Sequence, residues 1–353
     1  MKQAILYKKI GNSNVQCLAC NWYCKIKDGN TGVCGIRENI KGKLFLLTYG
    51  KPFNGLAIDP IEKKPLFHFL PGSKILSFGT VGCNFACKFC QNWEMSQYPR
   101  LLRAETNNKK QLTNLLKIEI NREETWSPEK IVEYAVLNKI PSIAYTYNEP
   151  AIYFEYAYDT AKLAYQNGIK NVFVSNGYES KKALEMIHSY LDAINIDLKS
   201  FSEEFYMKTC KAKLKPVLDN IRRCYELGIW MEVTTLVIPT LNDSAEELRK
   251  CADFLVSLSP SIPWHLSAFH PDYKVNNLPQ TSIAALEEAY KIGISSGLKY
   301  VYIGNIVDNK RDTTYCSKCM EPLLIREWGK IDLFNIQDGN CSKCKTKIEG
   351  VWQ

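Results

Sequence analysis

The sequence predicts an α/β fold, a partial or complete (β/α) barrel of the TIM type, with small cysteine-rich segments at both ends. Two observations support this prediction. Between residues 74 and 304, short β-branched or aromatic runs alternate with longer amphipathic stretches, as in successive βα units. In addition, most of the 14 cysteines fall in three groups, two of them outside the alternating region. We therefore divide the chain into a cysteine-rich segment 1–70, a barrel 71–305 and a module 306–353.

The alternation predicts the elements of the barrel in order. The predicted strands are Lys74–Thr80, Ser142–Tyr147, Asn171–Ser175, Ala193–Leu198, Trp230–Ile238, Trp264–Phe269 and Tyr300–Ile303. The predicted helices are Pro128–Leu137, Ile152–Asn167, Ser180–Ser189, Lys215–Leu227, Ser244–Ser257 and Ile283–Ser296, and Ser127 is the expected cap of the first. The insertion Arg100–Trp126 is weakly periodic, and we favour a solvated loop over a lid.

Composition excludes several classes of protein. Hydrophobic residues make up 46% of the 353 residues, which excludes a disordered chain. A net charge of +8 is too mild to indicate a dedicated nucleic-acid binder. The sequence contains no apolar run of membrane-spanning length and no secretory leader, so we expect a cytosolic protein without a membrane span.

Three cysteines directly follow the first predicted barrel strand. Cys83, Cys87 and Cys90 form a C-x3-C-x2-C motif, preceded by glycines that allow a tight turn. Three thiolates do not complete a structural zinc site, which has four protein ligands. They suit three corners of a cubane iron–sulfur cluster and leave one iron open to another ligand. The alternatives are a zinc knuckle that takes its fourth ligand from elsewhere and a chance grouping of cysteines.

This motif resembles that of the radical S-adenosylmethionine (SAM) superfamily. The resemblance implies a [4Fe-4S] cluster held by Cys83, Cys87 and Cys90, with SAM on the open iron. On reduction, such enzymes cleave SAM to methionine and a 5′-deoxyadenosyl radical that abstracts hydrogen, so the difficult chemistry belongs to the cofactor. The resemblance also implies a flavodoxin- or ferredoxin-type electron donor.

Further motifs at successive strand ends resemble the SAM-binding positions of this superfamily. Tyr147-Asn-Glu-Pro150 looks like a variant of its Gly-Gly-Glu motif, Ser175-Asn-Gly177 resembles an activase loop near the SAM ribose, and Val174 stands where those activases often carry Asp. Asp197-Leu-Lys199 and Phe269-His270 also match the activases of glycyl-radical enzymes. The residues implied in SAM binding are Asn148, Glu149, Ser175, Asn176, Lys199 and His270.

A narrower resemblance covers nearly the whole chain. The segment Asp59–Ser73, the Cys83 loop with Gln91-Asn-Trp, and the strand motif Tyr300–Asn305 look like the AmmeMemoRadiSam-system radical SAM enzymes. That family is related to pyruvate formate-lyase activating enzyme. Trp22 stands where the family usually has His, and the insertion Arg100–Trp126 is longer than usual. Membership of this family does not supply a substrate.

The outer cysteine groups indicate further metals. Two C-x2-C pairs near the carboxyl end form matched knuckles, and four thiolates suit one tetrahedral ion, zinc being preferred to iron. The irregular N-terminal C-x2-C-x3-C-x9-C group leaves zinc and an auxiliary Fe–S cluster open, and we favour zinc. The ligands expected are Cys316, Cys319, Cys341 and Cys344 in the first group, and Cys17, Cys20, Cys24 and Cys34 in the second.

The last predictions concern the three remaining cysteines and the function of the protein. Cys210 is a candidate catalytic hydrogen donor or substrate contact, whereas Cys224 and Cys251 are expected in the core. The leading hypothesis is a radical SAM oxidoreductase or transferase, with glycyl-radical activation as one possible reaction. Its substrate could be a protein, an RNA, a lipid or a small molecule. The rival hypothesis is a non-catalytic protein that binds several zinc ions and contacts other proteins or RNA.

Overall fold

The computed structural model describes residues 1–105, 108–306, 311–327 and 330–352. The chain forms two compact units, one of residues 1–59 and 75–192 and the other of residues 60–74 and 193–353. The two units together contain eight mostly parallel strands with helices between them, four strands in each unit. The predicted α/β class is therefore confirmed. The predicted division at residues 70 and 305 stays a prediction.

The first unit begins with short antiparallel strands. Two small sheets have the orders β1-β6-β5 and β2-β3-β4. Their strands are β1 (Lys2–Gln3), β2 (Tyr7–Lys9), β3 (Val15–Cys17), β4 (Lys25–Ile26), β5 (Arg37–Ile40) and β6 (Lys43–Leu46). The N-terminal cysteines lie on and between these strands.

The first unit continues into four strands in the order β10-β9-β8-β7. They are β7 (Ala57–Pro60), β8 (Lys74–Phe78), β9 (Ser142–Tyr145) and β10 (Lys170–Ser175). Every residue of β9 is buried, as expected for a parallel strand covered on both faces. The helices of this unit are α1 (Trp93–Ser96), α2 (Tyr98–Glu105), α3 (Lys109–Arg122), α4 (Pro128–Leu137), α5 (Phe154–Gln166) and α6 (Lys181–Ile187).

The second unit has four parallel strands in the order β14-β13-β12-β11. They are β11 (Ala193–Asp197), β12 (Trp230–Val237), β13 (Trp264–Ala268) and β14 (Val301–Gly304). The helices are α7 (Glu203–Phe205), α8 (Leu214–Glu226), α9 (Ala245–Leu258) and α10 (Ile283–Ser295). Cys224 and Cys251 are buried on α8 and α9, which confirms their predicted core positions.

A cysteine-paired module ends the second unit. Its strands are β15 (Thr314–Tyr315), β16 (Pro322–Glu327), β17 (Lys330–Phe334), β18 (Ile336–Gln337) and β19 (Asn340–Cys341). Leu323, Leu324 and Ile336 form a small core with Cys316 and Cys341. Two of the thiols are thus part of the packing of the module itself. In the predicted module 306–353, residues 307–310, 328, 329 and 353 lie outside the described residues.

Four of the predicted helices begin directly after a serine that caps the helix. Ser127 accepts a hydrogen bond from the Lys130 backbone N–H at 3.2 Å, so the expected cap of α4 is confirmed. Ser180, Ser244 and Ser282 cap α6, α9 and α10 in the same way. Each serine satisfies a backbone donor that the first helical turn leaves without a partner.

The expectation of a solvated loop over Arg100–Trp126 is wrong for the described part of that insertion. Helices α2 and α3 occupy most of it, while residues 106 and 107 lie outside the described residues. Leu112, Leu116 and Ile120 recur every fourth residue on α3 and are buried. This narrow apolar stripe makes the segment helical despite its many polar residues.

Over the described ranges, we find no helix that combines the length and the apolar character required to cross a membrane.

Candidate active site

Three loops of the first unit meet because the strands before them are in register. Phe78 of β8 and Phe173 of β10 both pair with Tyr145 of β9 in parallel ladders. The carboxyl ends of the three strands therefore lie side by side. The loops that follow carry the Cys83 motif, the Glu149 motif and the Asn176 motif, so this edge gathers the predicted site residues of the first unit.

The cysteines of the first loop are shielded from solvent. Cys83 and Cys87 are buried and Cys90 is half-buried. Burial, with the neighbouring Cys87 thiol, raises the pKa of Cys83. The backbone N–H of Phe85, two residues on, donates to the Cys83 sulfur, and Cys90 Sγ lies 3.1 Å from Ser96 Oγ. Ionised sulfurs at this position therefore need a compensating cation.

Two glycines let the loop pass close to its neighbours. A Cβ on Gly79 would lie 2.4 Å from the Thr146 carbonyl oxygen, and one on Gly82 would lie 2.5 Å from the Cys34 carbonyl oxygen. Gly82 also has φ +93°, which disfavours other residues. The Asn148 side chain donates to the Gly82 carbonyl at 2.7 Å and to the Thr80 carbonyl. Asn148 thus fixes the loop before Cys83.

Glu149 is buried and engaged by the protein. One carboxylate oxygen accepts from the Ala151 backbone N–H at 3.0 Å, and the other accepts from the Asn176 backbone N–H at 2.9 Å. The Ser175 hydroxyl donates to it as well, at 3.0 Å. Burial and the nearby Glu179 carboxylate raise the pKa of Glu149 well above its usual range. Its clearest role is to join the loops after β9 and β10.

The two asparagines beside Cys83 each have a buried amide atom without a hydrogen-bond partner. The Asn176 side-chain N–H donates to Asn84 Oδ1 at 2.8 Å and lies 3.9 Å from Cys83 Sγ. Asn84 and Asn176 are 1% and 7% exposed, yet Asn84 Nδ2 and Asn176 Oδ1 have no hydrogen-bond partner. A buried amide without partners is costly, so these two atoms mark a place where a polar ligand fits.

Asn84, Arg100 and Trp22 were not nominated as site residues from the sequence. The Arg100 guanidinium donates to the Cys83 carbonyl at 2.9 Å and to the Val33 carbonyl at 3.3 Å. The Trp22 indole N–H donates to the Asn84 carbonyl at 3.0 Å. The sequence does contain a signal for Asn84 as a site residue, because Asn84 directly follows the nominated Cys83. Arg100 lies in the segment interpreted as a loop, and only the fold reveals its contact.

Next to this loop is a cavity of about 280 Å³. Its lining includes Gln91 and Asn92, which directly follow Cys90, and Tyr147 from the Glu149 motif. The Asn92 side chain donates to the Tyr147 carbonyl at 2.8 Å, and the Tyr147 hydroxyl lies 3.0 Å from Asp59 Oδ2. Tyr147 has φ +69°, an unfavourable conformation for a bulky residue. These contacts fix one wall of the cavity, whose lining also includes the apolar side chains of Phe53, Leu56 and Met95.

The other nominated residues belong to the second unit. Lys199 follows β11, and its ammonium forms a 2.8 Å ion pair with Asp197. His270 follows β13 and is exposed. Cys210 ends the helical turn Tyr206–Cys210 and is fully buried. Their roles toward SAM or substrate remain predictions.

The C-terminal cysteines form a compact thiol cluster. The ligand atoms of Cys316, Cys319, Cys341 and Cys344 all lie within 4.8 Å of one another, with Sγ–Sγ distances of 3.5 Å for Cys316–Cys344 and 3.8 Å for Cys319–Cys341. Four sulfurs around one zinc at about 2.3 Å would be about 3.8 Å apart. The predicted C-terminal metal group is therefore present as a ligand set suited to one tetrahedral ion.

The two halves of this cluster have the same backbone geometry. Met320 and Lys345, each directly after a cysteine, have φ near +60°, and each N–H donates at 3.0 Å to the carbonyl of the first cysteine of its pair. Hydrogen bonding from Thr346 lowers the pKa of Cys344 to about 6. The module thus presents a thiol that ionises readily, as a metal ligand must.

Comparison with known proteins gives consistent matches. The sequence profile of the Radical SAM superfamily matches residues 78–255. An uncharacterized protein of Methanocaldococcus jannaschii is 42% identical over 99% of this chain and 100% of its own length. The pyruvate formate-lyase-activating enzyme of Clostridium pasteurianum is 22% identical over 58% of this chain and 81% of its own length.

A solved structure also resembles part of the chain. It is a domain of pyruvate-formate lyase-activating enzyme from Bacteroides vulgatus, with 23% sequence identity and a TM-score of 0.41. The match covers 46% of this chain and 98% of that domain.

Proposed function

This chain belongs to the radical SAM superfamily, related to pyruvate formate-lyase activating enzymes, and on that premise we propose that it is an enzyme that uses SAM to abstract hydrogen from a substrate. Members of the superfamily cleave SAM reductively with an Fe–S cluster. The observation that carries the proposal for this chain is the position of two buried asparagines, Asn84 and Asn176, beside Cys83, each with one amide atom that has no hydrogen-bond partner. Thiols and unsatisfied amides together suit a cluster with a polar ligand beside it.

The residues around Cys83 fit a [4Fe-4S] cluster. Cys83, Cys87 and Cys90 supply three thiolates, and Gly79 and Gly82 keep the loop close to its neighbours without side chains. When bound, the reduced cluster supplies the electron that cleaves SAM to methionine and a 5′-deoxyadenosyl radical. The protein contributes position and shielding. Phe85, which packs edge-on against Tyr178 at 5.0 Å, excludes water from this side of the loop.

We assign different tasks to the residues nominated for SAM. Asn176 Oδ1 is buried without a partner and is suited to accept a hydrogen bond from the SAM ammonium or a ribose hydroxyl. Asn148, Glu149 and Ser175 act mainly as positioning residues, because their side chains bind the loops themselves. Lys199 and His270 are proposed for the SAM carboxylate or ribose, and Cys210 for a substrate or hydrogen-donor role.

Two finer proposals concern partners and metals. Glycyl-radical activation is favoured as the reaction by the named activity of the Clostridium pasteurianum relative. It requires a protein loop as substrate and a flavodoxin- or ferredoxin-type electron donor. At the four C-terminal thiols we propose zinc, because the compact ligand set suits one ion. A cytosolic location remains a prediction.

Anaerobic assay of the full chain tests the proposal. With iron and sulfide supplied and a strong reductant added, we expect conversion of SAM to 5′-deoxyadenosine and methionine, measured by chromatography. The variant Cys83→Ala should lose this activity. Cys251→Ala, which removes a buried helical thiol, is the matched control and should keep it. A colourless wild-type protein containing only zinc and unable to cleave SAM would favour the rival, a multi-zinc interaction protein.

The substrate needs a separate measurement. Candidate proteins, RNAs, lipids and small molecules labelled with deuterium would be incubated with enzyme and SAM. Transfer of deuterium into 5′-deoxyadenosine identifies the substrate that loses hydrogen. Transfer from a glycyl-radical enzyme would support the activase reaction, whereas transfer only from another class would exclude it as the main activity.

A further inference from the structure

The four N-terminal cysteines are gathered around one small region of the first unit. Cys17, Cys20 and Cys34 are buried and Cys24 is half-buried. Burial and mutual repulsion with the other N-terminal thiols raise the pKa of Cys20 well above its usual range. The Cys17 backbone N–H donates to the Cys24 carbonyl at 2.9 Å, which closes the turn that holds the first three thiols. A buried sulfur that ionises requires a cation beside it.

The surroundings of these thiols also suit thiolate ligands. The backbone N–H two residues beyond Cys17, that of Ala19, donates to its sulfur, and Trp22 does the same for Cys20. Phe85 and Thr346 make the equivalent bond to Cys83 and Cys344 in the other two groups. All fourteen cysteines lie in the described ranges and none of them forms a disulfide, so no disulfide competes for these sulfurs.

A buried cation lies at the edge of the group. Arg37 Nη1 is 4.0 Å from Cys17 Sγ, and its other nitrogens bind the Ile152 carbonyl at 2.8 Å and the Glu155 carboxylate. Arg37 is only 1% exposed. This guanidinium fixes Cys17 relative to the start of α5 and places positive charge beside a thiolate.

The segment around Cys34 reaches the start of the Cys83 loop, directly at Gly82 and through Arg100 at Cys83. The Cys34 carbonyl leaves no room for a side chain on Gly82. Arg100 bridges the carbonyls of Val33 and Cys83, at 3.3 and 2.9 Å. These contacts place the last N-terminal cysteine directly against the start of the central motif.

A second contact comes from the turn that holds Cys20. The Trp22 indole, two residues after Cys20, donates to the Asn84 carbonyl at 3.0 Å. Cys20 forms a backbone bridge with Glu179, and the Asn21 backbone N–H donates to the Tyr178 carbonyl at 2.9 Å. The N-terminal turn thus contacts Asn84 directly and also contacts Tyr178 and Glu179, which follow Asn176 in its loop.

We propose that Cys17, Cys20, Cys24 and Cys34 bind a thiolate-ligated metal centre that positions the Cys83 loop for its own cluster. The positioning part rests on the proposed function, whereas the metal part does not. Without metal, no bond would join the four sulfurs, and the turns that carry Trp22 and Cys34 would loosen. With metal, those turns hold Gly82, Cys83 and Asn84 in place. Zinc and an iron–sulfur cluster share this ligand chemistry, and sulfide analysis distinguishes them.

The test compares two variants of the full chain, reconstituted anaerobically. Cys24→Ser removes the half-buried ligand, and Trp22→Phe removes only the indole N–H that reaches Asn84. Cys224→Ala, a buried thiol on α8, is the matched control. Iron, zinc and sulfide are counted per chain. The central cluster is followed by its electron paramagnetic resonance signal with and without SAM, and by its rate of loss to a chelator.

Cys24→Ser should lose the metal of the N-terminal centre. In this variant the chelator should also remove the central cluster about 10–100-fold faster, which is the size of effect expected when partners that orient metal ligands are lost. Trp22→Phe should keep every metal but change the central signal or its response to SAM. Unchanged metal content in Cys24→Ser would overturn the metal centre. Loss of that metal with an unchanged central cluster in both variants would overturn the positioning role. If wild type lacked the central cluster, the proposed function would fail, while the metal count would still test the N-terminal site.

Discussion

The Cys83 loop and the C-terminal cysteine cluster use the same side chain in opposite ways. The C-terminal cluster has four thiols within 4.8 Å of one another, two of them packed in the core of their module. The Cys83 loop has three cysteines in its motif, and beside Cys83 it has two buried amides with unpartnered atoms. The first arrangement is complete once one ion binds. The second has room and polar atoms for a further ligand.

This difference separates a folding site from a chemical site. A closed set of four thiolates lends its binding energy to a segment too small to fold on its own core. An open set must be held in place by other parts of the chain, and the Cys83 loop is held by Asn148, Arg100 and Trp22. Loss of a supporting contact at the Cys83 loop should therefore lower activity. Loss of one at the C-terminal cluster should lower stability.

The largest effect should come from removing one ligand in each region. Cys83→Ala should lower SAM cleavage by more than about 100-fold, since loss of outer partners alone can cost that much. Cys319→Ala should release the C-terminal metal and lower thermal stability, yet leave the electron paramagnetic resonance signal of the central cluster in place. Chromatography of SAM products and metal analysis provide the measurements. Equal loss of SAM cleavage in both variants would remove the distinction between the two regions.

Crowding at the Cys83 loop should produce the next largest effect. Gly82→Ala combines an unfavourable φ, costing about 1–2 kcal/mol, with a clash at the Cys34 carbonyl, costing about 1–3 kcal/mol more. Gly168→Ala is the control, because its φ is +72° but nothing lies within 4 Å of its Cβ position. Denaturant unfolding of the full chain measures both. Equal destabilisation would mean that the Cys34 contact is unimportant.

A smaller effect is expected from the amide beside Cys83. Asn176→Ala should weaken SAM binding by about 10–100-fold while the cluster stays bound, because an acceptor next to the ligand is lost. Thr346→Val removes the hydroxyl beside Cys344 in the other region and should weaken only the C-terminal metal. SAM titration of the cluster signal and competition with a zinc chelator distinguish the two. Normal SAM affinity in Asn176→Ala would exclude Asn176 as a contact.

The smallest effect concerns backbone strain in the C-terminal knuckles. Met320 has φ +59° and is 65% exposed, so Met320→Gly should relieve strain with little lost packing. We expect a gain of about 0.5–1 kcal/mol in the free energy of unfolding. Met320→Ala should give no such gain, because alanine keeps the unfavourable φ. If thermal unfolding of the two variants coincides, the strain at this turn is negligible.

Much of the fold follows from local signals in the sequence. Helix α4 begins after Ser127 as predicted, because a serine cap followed by proline is a purely local signal. The C-terminal thiols meet because two identical C-x2-C turns bring each pair together before any long-range packing. Helix α3 was missed because its apolar stripe is narrow, and burial of Leu112 and Leu116 becomes evident only when the helix packs.

The amino-acid sequence contains the identity and spacing of the ligands, since covalent order fixes which thiols can share a metal. It does not contain the partners that other segments supply. Glu149 was nominated as a ligand for SAM, and the fold adds that its oxygens accept from Ala151, Ser175 and Asn176. Arg100 and Trp22 reach the Cys83 loop from segments far away in the chain. Such contacts arise from parallel strand register and side-chain packing, which depend on the whole unit and not on any one stretch of residues.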